Sequence, residues 1–379
     1  MNKRTNINIR RRTALALICG CCIATGILAG NTKTAFAETR VMYVRADSLN
    51  VRTGPGLDAP IKREIYRGET VKVSGTEGDW ARIEVDGGIY YVARQYLTEE
   101  KPPQKSTEAK ATAGDTAAAS AVSGEGLPAG VSVTELRLTE GLRFAEFSKI
   151  HSGAARLYKN TKGAHGDTVI CVNAGHGTRG GSAVKTLSHP DGSGKVTGGT
   201  NANGAVYSMA ISHGMEFADG TGEHVITLRE ALALKKVLLA RGYSVLMIRE
   251  ESDVQLDNIA RTVLANNYAH CHIAIHWDST SSDKGAFFMS VPDALKSMEP
   301  VASTWEKSET FGKELIAGLR GRGVKIFGDG TMDTDLTQTS YSTVPSVDIE
   351  LGDKASDYSA ASLERLAEGL ADGVEQYFR

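Results

Sequence analysis

The sequence predicts an α/β protein with a mainly parallel sheet flanked by helices, preceded by a small all-β barrel. Three observations support this fold class. From residue 168 to the end of the chain, strand-like and helix-like segments alternate, as in parallel sheets covered by helices. Residues 40–98 contain only short alternating runs separated by turn signals. Of the 379 residues 41% are hydrophobic, which is enough for packed cores.

The first 37 residues are set apart from the folded chain. Basic residues at positions 3, 4 and 10–12 precede an uncharged apolar run, "TALALICGCCIATGILAG", which is followed by "AFA" at 35–37. This order predicts a secretory signal peptide, because the apolar run is short for a membrane span and a small-x-small cleavage site follows it. An uncleaved anchor and lipidation at Cys21 are the alternatives. After cleavage we expect a secreted protein without stable membrane insertion.

Removal of residues 1–37 leaves 37 basic and 45 acidic residues, a net charge of −8. That charge argues against nucleic acid and anionic lipid as partners. Only Cys171 and Cys271 remain, so the exported chain is not rich in disulfides. We expect buried free thiols, because a bridge across adjacent parallel strands would be strained.

Residues 40–98 form the first predicted domain. The runs "SLNVR", "TVKVSG", "WARIEV" and "IYYVA" alternate with turn signals. Through "LNVRTGPG" (49–56), "RGETVKV" (67–73), "GDWARIEV" (78–85) and "YYVARQYL" (90–97), the segment resembles the bacterial SH3 domain (SH3b). The resemblance implies a cell-wall-binding module with peptidoglycan as its ligand. Each of Trp80, Tyr90 and Tyr91 is interpreted as barrel core in preference to a binding residue.

Residues 99–130 form a predicted flexible linker. The segment lacks aromatic residues and almost all large aliphatic ones, so it cannot bury enough surface to fold. The third region, 131–379, is the predicted second domain with its core at 168–379. Its first part, 131–167, is interpreted as supplying a helix.

The elements of the core follow in order along the chain. "TVICVNA" is a buried strand, and the helix after it has Leu228, Ala231, Leu232 and Leu239 near one face before a glycine stop. Further strands and helices then alternate to the end of the chain. Their predicted ranges are strands 168–174, 243–249, 271–277 and 345–351, and helices 227–242, 257–270, 308–323 and 359–378.

Four side chains fall where such a sheet forms its sites, beyond the carboxyl ends of the strands. His176 follows the first strand, His276 ends another, Glu350 ends the last, and Glu223 precedes a helix. Two histidines and a glutamate with one open position are ligands of catalytic zinc, and a further carboxylate can carry protons. Spacing alone leaves zinc open, because nine histidines offer chance combinations. No HExxH motif is present, and "GSGKVTG" lacks phosphate-loop spacing.

Five motifs in order carry a second resemblance: "VICVNAGHG", "EHVITLREAL", "RTVLAN", "IAIHWD" and "PSVDIELG". Residues 168–379 resemble the zinc-dependent N-acetylmuramoyl-L-alanine amidases of the Amidase_3 type. The resemblance implies one Zn²⁺ ion held by His176, Glu223 and His276, with Glu350 as the catalytic carboxylate. The implied reaction is hydrolysis of the amide between N-acetylmuramic acid and L-alanine of the peptidoglycan stem peptide.

The predicted signal peptide and the two resemblances together predict a secreted peptidoglycan hydrolase, extracellular or associated with the cell wall, and we expect it to be a monomer. Two alternatives stay open. One is a non-catalytic wall-binding or regulatory protein on an amidase fold. The other is a related zinc peptidase that cleaves a different bond.

The sequence departs from the family pattern at several positions. Asn173-Ala174 stands where the family has Asp-Pro, Asp278 where an Asn is common, and Asp353 where a Phe is common. We therefore hypothesise that Asp278 tunes the zinc site or the substrate groove. The gap between His176 and Glu223 is longer than usual. Residues 179–222 within it are rich in Gly and Asn, which predicts a long, exposed loop, and we hypothesise that part of this loop covers the substrate groove.

Other residues compete for these roles. Glu216, in the loop, and Glu230, on what is interpreted as a solvated helix face, compete with Glu223. His272 lies within the span of its strand and is expected to pack or hydrogen-bond there. We interpret Arg249 and Arg261 as structural ion-pairing residues. We expect the remaining histidines to lie at the surface, namely His165, His189, His213 and His270.

Overall fold

The computed structural model describes residues 39–46, 48–56, 59–66, 68–85, 87–101, 120–121 and 127–379. The predicted signal peptide and most of the predicted linker lie outside these ranges. Among the described residues, none of the helices is long and apolar enough to cross a lipid bilayer.

The first domain is a seven-stranded antiparallel sheet, as its alternating pattern predicts. Its core is aliphatic, built from side chains such as Val51, Ile83 and Val92. Trp80 and Tyr91 are only half-buried, so their interpretation as barrel core is wrong, and Tyr90 packs at the edge of the core. The strands are β1 (Arg40–Val44), β2 (Ser48–Arg52), β3 (Ile61–Tyr66), β4 (Thr70–Glu77), β5 (Trp80–Val85), β6 (Gly88–Ala93) and β7 (Leu97–Thr98), in the spatial order β3-β2-β6-β5-β4-β1-β7.

The rest of the described chain contains eleven strands and five α-helices. The strands are β8 (Ser120–Ala121), β9 (Val131–Leu136), β10 (Ala155–Asn160), β11 (His165–Ala174), β12 (Lys185–Leu187), β13 (Tyr207–Met209), β14 (Tyr243–Met247), β15 (Cys271–Asp278), β16 (Ala286–Ser290), β17 (Ile326–Asp333) and β18 (Ser346–Asp353). The helices are α1 (Glu223–Ala240), α2 (Asn258–Tyr268), α3 (Trp305–Gly321), α4 (Thr337–Ser340) and α5 (Ala360–Tyr377).

Nine of these strands form one mixed sheet in the order β17-β16-β18-β15-β11-β14-β10-β9-β8. The four central strands, β18, β15, β11 and β14, are mutually parallel. Antiparallel pairing begins outside them, where β16 meets β18 and β10 meets β14. The predicted α/β class is confirmed, and the parallel character lies in the centre of the sheet, where the candidate residues end their strands.

Helices cover both faces of the central strands. Leu234 of α1, Leu315 of α3 and Leu370 of α5 share one apolar core with the sheet, and Leu264 of α2 belongs to the core on the other face. Because successive strand residues point to opposite faces, one face of β15 contributes apolar side chains and the other contributes histidines. The apolar set is Cys271, Ile273, Ile275 and Trp277.

The segment 131–167 forms strands β9 and β10, so the helix predicted there is wrong. The sequence "VSVTEL" buries Val133 and Leu136, and β9 pairs antiparallel with β10, which pairs with β14. Pairing with an existing sheet supplies the backbone hydrogen bonds that a helix would otherwise make, so tertiary context overrides the local pattern. Residues 131–160 therefore extend the same sheet that holds the candidate site.

The insertion 179–222 is folded and partly buried, so the expectation of a long exposed loop is wrong for much of its length. Strands β12 and β13 pair as a two-stranded sheet. Ser188, His189, Lys195 and Ser208 are almost fully buried. Polar side chains inside a protein require hydrogen-bond partners, and this insertion supplies them from within itself and from the loop after β17.

Cys171 and Cys271 are buried and free, as expected. They lie on neighbouring strands β11 and β15, but Cys171 pairs in register with His272 rather than with Cys271. The offset of one residue places the two sulfur atoms on opposite faces of the sheet, and each thiol belongs to a different apolar core.

Candidate metal centre

Three side chains converge at the carboxyl ends of the central strands. His176 Nε2 lies 2.9 Å from Glu223 Oε1 and 3.0 Å from His276 Nδ1, and His276 Nδ1 lies 3.0 Å from the same carboxylate oxygen. In the described part of the chain, these three residues are the group whose geometry could hold a metal ion. The structure thus brings together the three residues that the sequence predicts as ligands.

His176 sits in a tight turn directly after β11. Its φ is +61° and that of Gly177 is +71°, so the chain reverses through two left-handed residues. A Cβ on Gly175 would lie 2.3 Å from the ring of His276, so only glycine allows this approach. The Nδ1–H of His176 donates to the carbonyl oxygen of Ser212 at 2.9 Å, which leaves Nε2 facing the cluster.

Glu223 is the first residue of α1, where the helix dipole favours a negative charge. The backbone N–H of Trp277 donates to Oε1 at 3.0 Å, and that of Met215 donates to Oε2 at 2.9 Å. Burial opposes ionisation of Glu223. The two facing imidazoles and its hydrogen bonds outweigh burial and hold the pKa of this carboxyl well below its usual range.

His276 lies near the carboxyl end of β15, is partly buried and turns Nδ1 toward the cluster. Its other ring nitrogen, Nε2, lies 3.7 Å from Oδ2 of Asp348 on β18. Burial lowers the pKa of His276, but Asp348, Glu223 and Glu350 outweigh it and raise the pKa to about 10. The surrounding negative charge therefore favours a positive charge at this position, either a proton or a metal cation.

Sequence reasoning missed Asp348. The strand "SVDIEL" alternates polar and apolar residues, and Ser346, Asp348 and Glu350 share the face opposite to the core side chains. That alternation was the available signal. It shows that Asp348 points to the same side of the sheet as Glu350 and His276.

The donor set fits a metal cation. The Nδ1–H of His176 donates to a carbonyl oxygen. Burial lowers the pKa of the His176 ring, and attraction to Glu223 offsets only part of this decrease. Nε2 of His176 therefore directs a lone pair at Oε1 of Glu223, an oxygen that already accepts a hydrogen bond from the N–H of Trp277. Such converging lone pairs repel one another unless a cation lies between them, and two imidazoles with one carboxylate are ligands that Zn²⁺ prefers.

Glu350 lies beside His276 on the neighbouring strand β18, with which it pairs in register. The residue is buried, and among the described residues no hydrogen-bond partner meets its Oε2. Burial raises the pKa of Glu350, and the nearby acids Glu223 and Asp348 raise it further. A buried, unpartnered carboxylate oxygen at the rim of the cluster is suited to receive a water molecule or a substrate group.

Two buried arginines hold the turn that carries His176. Arg261 donates to the carbonyl oxygen of His176 at 2.6 Å, to that of Ala174 at 3.0 Å and to Oδ1 of Asn173 at 3.0 Å. Arg249 donates to the carbonyl oxygen of Gly175 at 2.9 Å. Through these hydrogen bonds to neutral oxygen atoms, the two guanidinium groups hold the turn, and their interpretation as ion-pairing residues stays a prediction.

Asn173 also explains the position of His272. Its Nδ2–H donates to His272 Nε2 at 3.1 Å, while its Oδ1 accepts from Arg261. Burial lowers the pKa of His272 to about 3, so the ring is neutral inside the sheet. The prediction that His272 packs or hydrogen-bonds inside the sheet is confirmed, and its partner Asn173 lies on the neighbouring strand β11.

The competing glutamates lie elsewhere. Glu216 is exposed within the insertion. Glu230 is completely buried on the side of α1 that also carries Ile226 and Leu234, so its interpretation as a solvated residue is wrong. Neither contributes to the cluster of three. Among the histidines assigned to the surface, His189 is completely buried, which corrects that expectation as well.

Asp278 and Asp353 fix the loop that follows β15. Asp278 pairs with Lys284, and Asp353 accepts hydrogen bonds from the backbone N–H groups of Ser282, at 2.9 Å, and Lys284 and from the hydroxyl of Thr280. In the described part of the chain, no hydrogen bond or ion pair joins Asp278 to the three clustered side chains. These contacts give Asp278 a part in shaping the loop, and its charge also raises the pKa of Glu350, so tuning of the zinc site or the substrate groove stays a prediction.

Comparison with known proteins agrees with both resemblances. A model of the bacterial SH3 domain matches residues 47–98, and a model described as N-acetylmuramoyl-L-alanine amidase matches residues 170–376. A curated Bacillus subtilis (strain 168) protein named "Putative N-acetylmuramoyl-L-alanine amidase YrvJ" is 32% identical over 68 residues, which are 18% of this chain and 13% of that protein. The chain thus spans about an eighth of the length of that curated relative.

Solved amidase structures are also similar to this chain. The N-acetylmuramyl-L-alanine amidase Ami1 from Mycobacterium smegmatis is 18% identical, with 55% of this chain and 96% of that chain covered and a TM-score of 0.45. The catalytic domain of CwlV from Bacillus (Paenibacillus) polymyxa var. colistinus is 18% identical, with coverages of 56% and 98% and a TM-score of 0.39. Because the amidase model matches more than half of its residues, this chain belongs to the N-acetylmuramoyl-L-alanine amidase family of the Amidase_3 type.

Proposed function

We propose that this chain is a secreted, zinc-dependent N-acetylmuramoyl-L-alanine amidase that hydrolyses peptidoglycan. The bond cleaved is the amide between the lactyl group of N-acetylmuramic acid and L-alanine of the stem peptide. The observation that carries the proposal is the convergence of His176, Glu223 and His276 within 3.0 Å, beside the buried, unpartnered oxygen of Glu350. Family membership supports the identity of the bond.

His176 Nε2, Glu223 Oε1 and His276 Nδ1 would hold the ion. Zinc at such a site polarises a carbonyl group and lowers the pKa of water from about 15.7 to about 7. The contribution of the chain is to keep the three donor atoms in place. The carbonyl of Ser212 fixes the ring of His176, and the N–H of Trp277 fixes the carboxylate of Glu223.

Glu350 performs the proton transfers. Its carboxylate accepts a proton from the attacking water as the water oxygen bonds to the lactyl carbonyl carbon. It then gives this proton to the amide nitrogen as the carbon–nitrogen bond breaks, which yields a muramoyl carboxylic acid and a free amino group on L-alanine. The rise in the pKa of Glu350 moves this group toward the range in which it can both accept and return a proton.

The decisive experiment is digestion of purified cell wall by the full chain. We expect new amino termini on L-alanine, and we expect a chelator to abolish them and added zinc to restore them. Glu350→Gln should lower the rate by about 10²–10⁴-fold, the usual range for a general acid–base residue, while binding zinc as the parent does. Glu364→Gln, an exposed helix residue, is the matched control and should retain full activity.

Two outcomes would contradict the proposal. Fully metallated protein that releases no amino groups would indicate a non-catalytic wall-binding protein on an amidase fold. New amino groups on a residue other than L-alanine would indicate a zinc peptidase. The intact set of four site residues favours the amidase over the first alternative, since a protein without catalysis has no need for Glu350.

The remaining parts of the proposal concern location and binding. The predicted signal peptide at 1–37 supports secretion, and the barrel at 40–98 supports attachment to peptidoglycan, so the polymer serves as both substrate and SH3b ligand. Mass spectrometry of the exported protein tests the first point. A mature chain that begins near residue 38 is expected, and retention of residues 1–37 would contradict cleavage.

A further inference from the structure

The last residues of the insertion lie against two of the three proposed metal ligands. The carbonyl oxygen of Ser212 accepts the Nδ1–H of His176 at 2.9 Å, and the hydroxyl of Ser212 lies 3.1 Å from the same nitrogen. The N–H of Met215 donates to Glu223 Oε2 at 2.9 Å. One short backbone segment therefore contacts the imidazole of one ligand and the carboxylate of another.

Gly214 lies at the point of closest approach. A Cβ at this position would lie 2.6 Å from Glu223 Oε2 and 2.7 Å from Cδ2 of His176. Both distances are shorter than any ordinary contact of a Cβ atom. Its φ of +81° places the residue in the left-handed region as well. Glycine is therefore required here for two reasons: there is no room for a Cβ atom, and φ is positive. Glycines in ordinary turns meet only the requirement for a positive φ.

The insertion is firmly attached at two other points. Asp335, in the loop after β17, accepts from His189 Nε2 at 2.9 Å and from Lys195 Nζ at 2.9 Å, and all three side chains are almost fully buried. Nearer the site, the N–H of Asn258 at the start of α2 donates to the carbonyl oxygen of Ala210 at 3.0 Å. The segment that follows Ala210 is thus held in place from outside the cluster.

We propose that residues 212–215 are positioning residues of the metal centre, so that the insertion sets the affinity for the metal instead of acting as a detachable lid. This inference rests on the proposed zinc site. Ser212 fixes the ring of His176 with Nε2 directed inward, and Met215 fixes the carboxylate of Glu223. Outer partners of this kind typically change metal affinity by 10–100-fold when they are altered.

The test is the zinc affinity of the full chain, measured by competition with a chromophoric chelator. Gly214→Ala should raise the zinc dissociation constant by about 10–100-fold. Gly204→Ala is the matched control, because Gly204 lies in the same insertion with a φ of +80° and a Cβ there would meet nothing within 4 Å. Both variants place alanine at a left-handed φ, so Gly204→Ala measures the effect of that backbone strain alone, and only Gly214→Ala should lose zinc affinity.

A second pair of variants keeps the test valid if Gly214→Ala does not fold. Ser212→Ala removes the hydroxyl near His176 and should weaken zinc binding several-fold. Ser182→Ala, which removes a hydroxyl bonded to His213 at 2.7 Å in the same insertion, should leave it unchanged. Equal zinc affinity within each pair would overturn this inference alone. A parent chain that binds no zinc would overturn the proposed function and this inference together.

Discussion

Glu230 shows how burial determines the behaviour of a single side chain. It lies on α1 with no solvent exposure, and among the described residues neither of its carboxylate oxygens has a hydrogen-bond partner. Burial alone raises the pKa of Glu230 well above its usual value. A carboxyl group in such surroundings stays protonated, because the charged form would have to leave water without compensation.

Glu230 makes stability depend on pH. Because its pKa is higher in the folded chain, the folded state keeps a proton that the unfolded state releases above about pH 4.3. Stability is therefore lost as the pH rises above that value. Glu230→Gln should remove this loss. The free energy of unfolding of the variant, relative to that of the parent, should therefore rise by about 1.4 kcal/mol for each pH unit until the folded carboxyl ionises.

Urea unfolding between pH 4 and pH 8 measures this effect. Glu364→Gln, at an exposed position on α5, is the control and should follow the parent at every pH. A constant difference between Glu230→Gln and the parent across this range would show that Glu230 does not hold the extra proton.

Asp348 is expected to support His276 from the side of the ring that faces away from the cluster. A carboxylate near the second ring nitrogen of a ligating histidine orients the ring and raises its basicity. Asp348→Asn should therefore weaken zinc binding by about tenfold, within the usual range for outer partners. Chelator competition measures the change, and Asp329→Asn at an exposed position of β17 is the control. Unchanged zinc affinity of Asp348→Asn would show that Asp348 does not contribute to metal binding.

Among the larger elements, the insertion 179–222 differs most from its sequence pattern. Glycine and asparagine predict an exposed loop, but the buried group of His189, Lys195 and Asp335 ties this segment to the loop after β17. The partners of Asp335 lie 140 and 146 residues away along the chain. Such a network keeps its geometry only when every charge in it is compensated.

Breaking this network should destabilise the whole protein. Asp335→Asn leaves the ammonium group of Lys195 buried without a counter-charge, which typically costs about 3–5 kcal/mol. Urea unfolding should show the loss, and limited proteolysis should cut within residues 188–206 more rapidly than in the parent. Asp329→Asn again serves as the control. A variant with parental stability and protection would show that the network does not hold the insertion.

The described part of the molecule combines two domains with separate hydrophobic cores. The barrel has its own aliphatic core, separate from the cores on the two faces of the large sheet. Attachment of one module to an insoluble polymer raises the local concentration of the other without changing its chemistry. We therefore expect the barrel to affect the digestion of intact wall and to leave the hydrolysis of small fragments unaffected.

A chain that begins at residue 127 tests this division of tasks. It should hydrolyse soluble muropeptides with the kcat/KM of the full chain. It should digest intact wall about tenfold more slowly or worse and should no longer sediment with it, because the tether is lost. Equal sedimentation of both chains with purified wall would show that the barrel is not the attachment module.

Local sequence patterns placed four candidate residues near the ends of elements, and the family resemblance selected Glu223 over Glu216 and Glu230 and implied the role of each. In "CHIAIHWD", position along the strand predicts that His272 lies within the span of the sheet and His276 near its carboxyl end, and both residues occupy those positions. The ends of parallel strands lie at one edge of a sheet, which brings His176 and Glu350 to the same place. These rules indicate from the sequence that the side chains lie at one edge of the sheet, whereas their roles as ligands and catalytic carboxylate follow from the family resemblance.

The tertiary structure alone decided what surrounds these residues. The contact of Ser212 with His176, the approach of Gly214 to Glu223 and the burial of Glu230 depend on the path of the chain between elements. Periodicity reports which face of an element is apolar, but it does not report which distant backbone group meets a given side chain. The sequence therefore determined the fold class and the candidate ligands, and the folded chain determined how they are held.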